Sequence, residues 1–413
     1  MAWKWEFAFL MLTVTAINFY AGKKISTATQ KRNKNRWLAI ALILSLAENI
    51  TYLKVILPVG ISFFTFQALS YSLDIYRKKT EVENNFVNFA VFVAFFPQLV
   101  AGPIERSSHL LAQFREKHHF NSTQFLEGSK LFIWGLFKKV VIADRLSLYV
   151  DRVYSSPDIY SGATLAIATF FFAIQIYCDF SGYSDMAIGS ARILGFRLMQ
   201  NFNLPYLASS IGNFWKRWHI SLSSWFGDYL YIPLGGNRVS YPRWVFNIFV
   251  VFLVSGFWHG ANWTFIVWGA LHALYYLVEN WGDKLINLFS LEKLKESVAY
   301  KTFKIITVFV LVCFAWIYFR ANSISDAFLI SEKIVIGGWD SLYRGPSNVT
   351  FILSLLLISF LFVVQLLQYF KIVSLYFSRP KTHPVFQFVW YVALLLGISL
   401  LGKSSSAFIY FQF

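Results

Sequence analysis

Apolar runs alternate with short polar and basic connections along most of the chain. Residues 37–46, 163–177, 245–254, 264–278, 305–318, 351–367 and 385–401 are nearly uninterrupted hydrophobic stretches. They approach the roughly 20 apolar residues that carry a helix across a bilayer. Several are short for a full crossing, which predicts tilted or re-entrant segments. Three polar breaks are longer than the rest, at 78–85, 105–124 and 198–243. The last combines Trp215, Trp218, Trp225 and Tyr229 with Lys216, Arg217, His219, Asp228, Arg238 and Arg243, an amphipathic mixture suited to lying at a membrane face.

Composition agrees with the pattern. The chain is 57% hydrophobic, 20% aromatic and 14% charged, with a mean hydropathy of +0.51. One soluble globule of this size cannot hide that much apolar surface, so the expected class is an all-α integral membrane protein with the lipid bilayer as its surroundings. A net charge of +16 in a soluble protein would suggest a nucleic-acid partner. Here the basic residues gather in connections between apolar runs, as the positive-inside rule expects, and no nucleic acid is implied.

The cluster Lys23, Lys24, Lys31, Arg32, Lys34 and Arg36 marks one cytoplasmic loop, and Arg77, Lys78 and Lys79 mark another. Between them the chain crosses outward through 37–46 and returns through about 55–76. The opening segment, 7–21, then runs from outside to inside, and with no small-residue cleavage site it reads as a retained anchor. The absence of a Pro/Ser/Gly-rich linker, a low-complexity tract or a repeat predicts a single membrane domain over residues 1–413.

The candidate chemistry centres on His259, in Gly256-Phe257-Trp258-His259-Gly260-Ala261-Asn262-Trp263, between the apolar residues 251–254 and 265–268. An ionisable side chain at bilayer depth costs about 2.5–3.5 kcal/mol on insertion scales, and such residues usually mark pathways or chemistry. Gly256 and Gly260 are expected to leave room for substrate close to the backbone. Asp179 and Asp185 need internal partners such as Arg192, Arg197 or a histidine. Ser181 lacks a nucleophile-elbow pattern. Cys178 and Cys313, without further ligands at metal spacing, read as packing residues, and neither a disulfide nor a metal site is expected. Lys216, Arg217, Arg238 and Arg243 have two readings: phosphate contacts for an acyl carrier, or cytoplasmic-face charges with no ligand. Gly235 and Gly236 read as a turn.

Longer motifs identify a family. Residues 57–67 (Leu-Pro-Val-Gly-Ile-Ser-Phe-Phe-Thr-Phe-Gln) and 100–106 (Val-Ala-Gly-Pro-Ile-Glu-Arg) resemble the membrane-bound O-acyltransferase family. Residues 177–189 (Tyr-Cys-Asp-Phe-Ser-Gly-Tyr-Ser-Asp-Met-Ala-Ile-Gly), 214–223 (Phe-Trp-Lys-Arg-Trp-His-Ile-Ser-Leu-Ser), 256–263 and the closing 408–413 (Phe-Ile-Tyr-Phe-Gln-Phe) look like its bacterial alginate and peptidoglycan O-acetylation branch. Residues 1–54 are short by comparison with relatives in that family.

The resemblance implies a ring of tilted and re-entrant helices around a central funnel, with His259 at its constriction, and acyl transfer to a hydroxyl. Neutral imidazole, with an unperturbed pKa of about 6.5, suits removal of the hydroxyl proton at neutral pH. His219 belongs to the motif that accompanies the catalytic histidine; it orients the donor, assists the base or anchors a cytoplasmic helix. Lys216, Arg217 and Arg238 are the candidate donor contacts. No permanently bound cofactor is implied, only acetyl-CoA or another acyl thioester as donor. An extracytoplasmic acetyltransferase partner, a polysaccharide acceptor and a multi-pass place in the bacterial cytoplasmic membrane follow from the same resemblance. D-alanyl transfer toward teichoic acid is the alternative within the fold, and a non-catalytic transporter or scaffold the alternative outside it.

Overall fold

A computed structural model describes residues 5–51, 61–99, 102–288, 297–339, 341–372 and 384–403. The closing motif 408–413, residues 57–60 and residues 100–101 fall outside that set. Among the described residues the secondary structure is helical throughout, with no strand. The order begins α1 (Trp5–Thr27), α2 (Lys31–Thr51), α3 (Ile61–Tyr76), α4 (Phe86–Ala94), α5 (Phe96–Leu99), α6 (Ser107–Phe114), α7 (Ser122–Phe137) and α8 (Asp144–Tyr154). It continues with α9 (Gly162–Ile193), α10 (Ile211–Trp215), α11 (Ile220–Phe226), α12 (Tyr241–His259) and α13 (Trp263–Leu288). The helices Val298–Arg320, Ile324–Ile336, Asn348–Tyr369 and Pro384–Leu401 follow.

Among the described residues, four helices are long and apolar enough to cross a membrane: α9, α12, Val298–Arg320 and Asn348–Tyr369. The last of these turns large apolar side chains outward, Val349 and Leu356 among them, as a lipid-facing helix does. The expected apolar runs all fall within observed helices, but 163–177 is only the first half of α9. That helix continues through Asp179 and Asp185 because both carboxylates are buried inside the protein.

The chain forms two compact units, residues 1–132 with 184–200, and residues 133–183 with 201–413. In the first, α1 packs against α2 and α3. Buried Asn18 joins the three: its amide donates to Ser45 Oγ at 2.9 Å, and Ser72 Oγ donates to its carbonyl at 2.8 Å. Such side-chain hydrogen bonds hold helices together where lipid removes the hydrophobic drive for association. Glu105, fully buried, accepts from the Met199 backbone N–H and lies 2.6 Å from His109 Nδ1.

The second unit contains a π-helical turn at Lys138–Ala143 that carries Lys138 and Lys139 inward. Lys139 Nζ lies 2.7 Å from Asp144 and 2.7 Å from Asp179, so Asp179 has an internal partner in this lysine, 40 positions upstream. Arg192 pairs instead with Glu127 in the first unit. Ser181 accepts a hydrogen bond from Lys138 Nζ at 2.7 Å, a structural contact.

Candidate active site

Helices α12 and α13 form a closely packed hairpin. Pro242 occupies the first turn of α12, where its missing N–H is no loss. A Cβ on Gly256 would lie 2.3 Å from the Phe265 carbonyl oxygen, and one on Gly269 would lie 2.4 Å from that of Phe252. The two glycines let the backbones meet, the small-residue device of membrane helix pairs. The expectation that Gly256 and Gly260 make room for substrate is therefore overturned: α13 fills the first space and the Phe265 ring the second. Asn262 accepts from the Thr264 N–H at 3.1 Å and caps α13.

His259 is the last residue of α12, half-buried beside exposed Ala261, Asn262 and Trp263. It stands at a helix-to-helix turn instead of midway along an apolar stretch. Its walls are aromatic, as expected. Trp258 lies at 4.7 Å between ring centroids, Phe319 at 5.0 Å, Trp268 at 5.2 Å and Phe265 at 6.4 Å.

The segment from Ile211 to His219 runs along this hairpin. Its start is fixed by Glu279, which accepts from the Ile211 N–H at 2.7 Å and from Lys304 Nζ at 2.9 Å. Trp215 then packs on Phe252 at 5.6 Å and Trp268 at 5.7 Å. Trp218 packs on Trp316 at 5.1 Å. His219 ends the segment, fully buried, with its ring 4.6 Å from Phe180 and 6.2 Å from Trp258. Trp215, Trp218 and His219 of the aromatic and cationic mixture thus pack against neighbouring helices, while Lys216 stays exposed.

His219 has φ of 42°, a left-handed conformation that is uncommon outside glycine. Strained backbone of this kind concentrates at functional sites and needs surroundings that over-determine it. Asn201 and Asn203 supply them: the Asn201 carbonyl accepts from Ile220 N–H at 3.0 Å, its side chain from Ser221 Oγ at 2.6 Å, and Asn203 N–H donates to the Arg217 backbone carbonyl at 2.9 Å. Burial holds the His219 pKa well below the ordinary histidine range, and nearby His259 pushes the same way. The structure thereby brings together two imidazoles 40 positions apart.

The three candidate donor contacts do not converge. Lys216 is exposed and Arg217 half-buried on the segment leading to His219. Arg238 is exposed near the opposite end of α12, after a turn in which Gly235 and Gly236 both have positive φ. Buried Asn247 pins that turn, donating to the Leu234 and Gly236 carbonyls at 3.2 and 3.1 Å. From Arg243 to His259 the helix rises about 24 Å at 1.5 Å per residue. Sequence reasoning passed over Asn201, Glu279 and His272. The last two had a signal, since each is an ionisable residue on the helix of an apolar run.

A helical membrane protein that sets buried His219 and half-buried His259 against one tryptophan, Trp258, has the parts of an acid–base catalyst. The family model described as "MBOAT, membrane-bound O-acyltransferase family" matches residues 2–322. The chain belongs to this family and is an O-acyltransferase. It is 37% identical to a probable alginate O-acetylase of Pseudomonas aeruginosa over 84% of this chain and 70% of that protein. It is 34% identical to the peptidoglycan O-acetyltransferase of Helicobacter pylori, over 80% of this chain and 71% of that one. A teichoic acid D-alanyltransferase of Bacillus subtilis is 27% identical over 54% of this chain and 60% of its own length.

Proposed function

We propose that this enzyme works in the bacterial cytoplasmic membrane, moving an acetyl group from a cytoplasmic thioester, acetyl-CoA, toward hydroxyls of a cell-envelope or secreted polysaccharide. The observation that carries the reading is that His259 and His219 both pack against the Trp258 ring, among further aromatic side chains. In the transfer, the hydroxyl oxygen bonds to the thioester carbonyl carbon as His259 takes the hydroxyl proton. The carbon–sulfur bond then breaks and the proton passes to the departing sulfur, leaving an ester and a free thiol. General-base help of this kind contributes about 10²- to 10⁴-fold.

Arg238 and Arg243 at the turn supply charge for the donor's phosphates, and Lys216 and Arg217, which do not converge with them, add positive charge further along. A donor held at the turn delivers its acetyl group along α12 toward the opposite end, where His259 stands. The polysaccharide receives it there directly or through an extracytoplasmic acetyltransferase. The names of the relatives support acetyl over D-alanyl transfer: the acetylating proteins match four-fifths of the chain, the D-alanylating one about half.

Mass spectrometry of envelope and secreted glycans from cells with and without the gene tests the proposal. Loss of O-acetyl esters from one polysaccharide is expected; loss of D-alanyl esters, or an unchanged glycan profile, contradicts it.

A further inference from the structure

Outside the two imidazoles of the proposed site, the same unit buries a third. His272 on α13 is 0% exposed, and neither ring nitrogen has a hydrogen-bond partner among the described residues. Its neighbours are aromatic and come from three elements. It is nearly parallel to Phe214 of α10 (6.2 Å, 4°) and to Phe252 of α12 (6.1 Å, 18°). It meets Trp215 of α10 edge-on (4.9 Å, 78°) and Trp268 of α13 edge-on (5.1 Å, 72°).

Those two tryptophans lead to the two candidate catalytic groups. Trp215 stands four residues before His219 on the same segment. Trp268 presents itself edge-on to His259 at 5.2 Å and 89°. A flat ring gripped by Phe214 and Phe252 thus fixes the spacing between the segment that delivers His219 and the wall that orients His259. An aliphatic or smaller side chain gives Trp215 and Trp268 freedom to turn, and both histidines move with them.

We propose that His272 is a positioning residue of this acyltransferase, acting through Trp215 and Trp268 on the placement of His219 and His259. The proposal rests on the reading of His259 as the base. It assigns His272 a role through ring shape, without contact to substrate.

The experiment uses membrane vesicles containing the full chain and its polysaccharide acceptor, with acetyl-CoA as the probe and free thiol release as the readout. His259→Ala, run alongside, tests the base reading by itself: surviving turnover there sinks that reading whatever His272 does. His272→Ala is expected to lower kcat about 10- to 100-fold, the scale of a misplacement near 1 Å. The KM for acetyl-CoA and the shape of the pH profile stay as they were. His272→Phe restores most of kcat, because a flat ring again fills the slot, whereas His272→Leu does not. Where the alanine variant fails to accumulate, the Phe and Leu pair decides the matter. A full-rate Ala or Leu variant, a rise in KM at unchanged kcat, or a Phe variant as slow as Ala each overturns the proposal.

Discussion

Backbone strain at His219 separates what motif reading found from what it missed. His259 and His219 stand out in the sequence because their motifs are long and ordered. The left-handed backbone of His219 does not, since it depends on Asn201 and Asn203, 18 and 16 positions away. His219→Asn isolates the ring from the backbone: asparagine tolerates this conformation better than most residues, so membrane abundance stays at wild-type level while acetyl transfer falls about 10-fold or more. Quantitative immunoblots beside glycan O-acetyl assays check this; unchanged transfer makes the ring a packing element. His109 offers a pH test away from the site. The hydrogen bond to Glu105 raises its pKa despite partial burial. A raised folded-state pKa adds stability that is complete below the ordinary histidine value near 6.5 and disappears as pH climbs through the folded one. The thermal midpoint of wild type should therefore exceed that of His109→Phe most in mildly acidic buffer, with the gap shrinking toward alkaline pH; a gap that grows with pH contradicts the ion pair.

At the scale of elements, hydrophobic length alone located the helices that lipid or core demands, from 37–46 to 385–401. It failed where polar groups are buried in pairs. The apolar run stops at 177, just before Asp179, yet α9 continues because Lys139 neutralises that carboxylate from an adjoining π-helical turn. It failed again at 211–219, where the tryptophans look interfacial but Trp215 packs on α12 and α13 and Trp218 on Trp316. The hairpin itself makes a sharp prediction. Gly256→Val drives a side chain into the α13 backbone and should cost about 1–3 kcal/mol, the usual penalty of overpacking. Gly282→Ala in α13, where an added Cβ meets nothing within 4 Å, should instead stabilise by about 0.4–1 kcal/mol. Thermal denaturation of the two variants in one detergent reads both; equal midpoints would refute the close-packed hairpin.

Across the whole molecule, this account gives the +16 charge two tasks, orienting loops and gathering an anionic donor. The tasks separate by substitution. Arg238→Gln should raise the apparent KM for acetyl-CoA about 10- to 150-fold with little change in kcat, as loss of one charge-assisted phosphate contact of about 1.5–3 kcal/mol implies. A kinetic titration in vesicles measures it, and an unchanged KM leaves Arg238 with a topological role only. The most direct test of the central claim concerns a single proton acceptor. Mass spectrometry of envelope and secreted polysaccharide is compared between cells expressing the wild-type chain and cells expressing His259→Ala at equal membrane abundance. The account predicts O-acetyl esters reduced to the level of cells lacking the gene; esters at the wild-type level in the variant would contradict it.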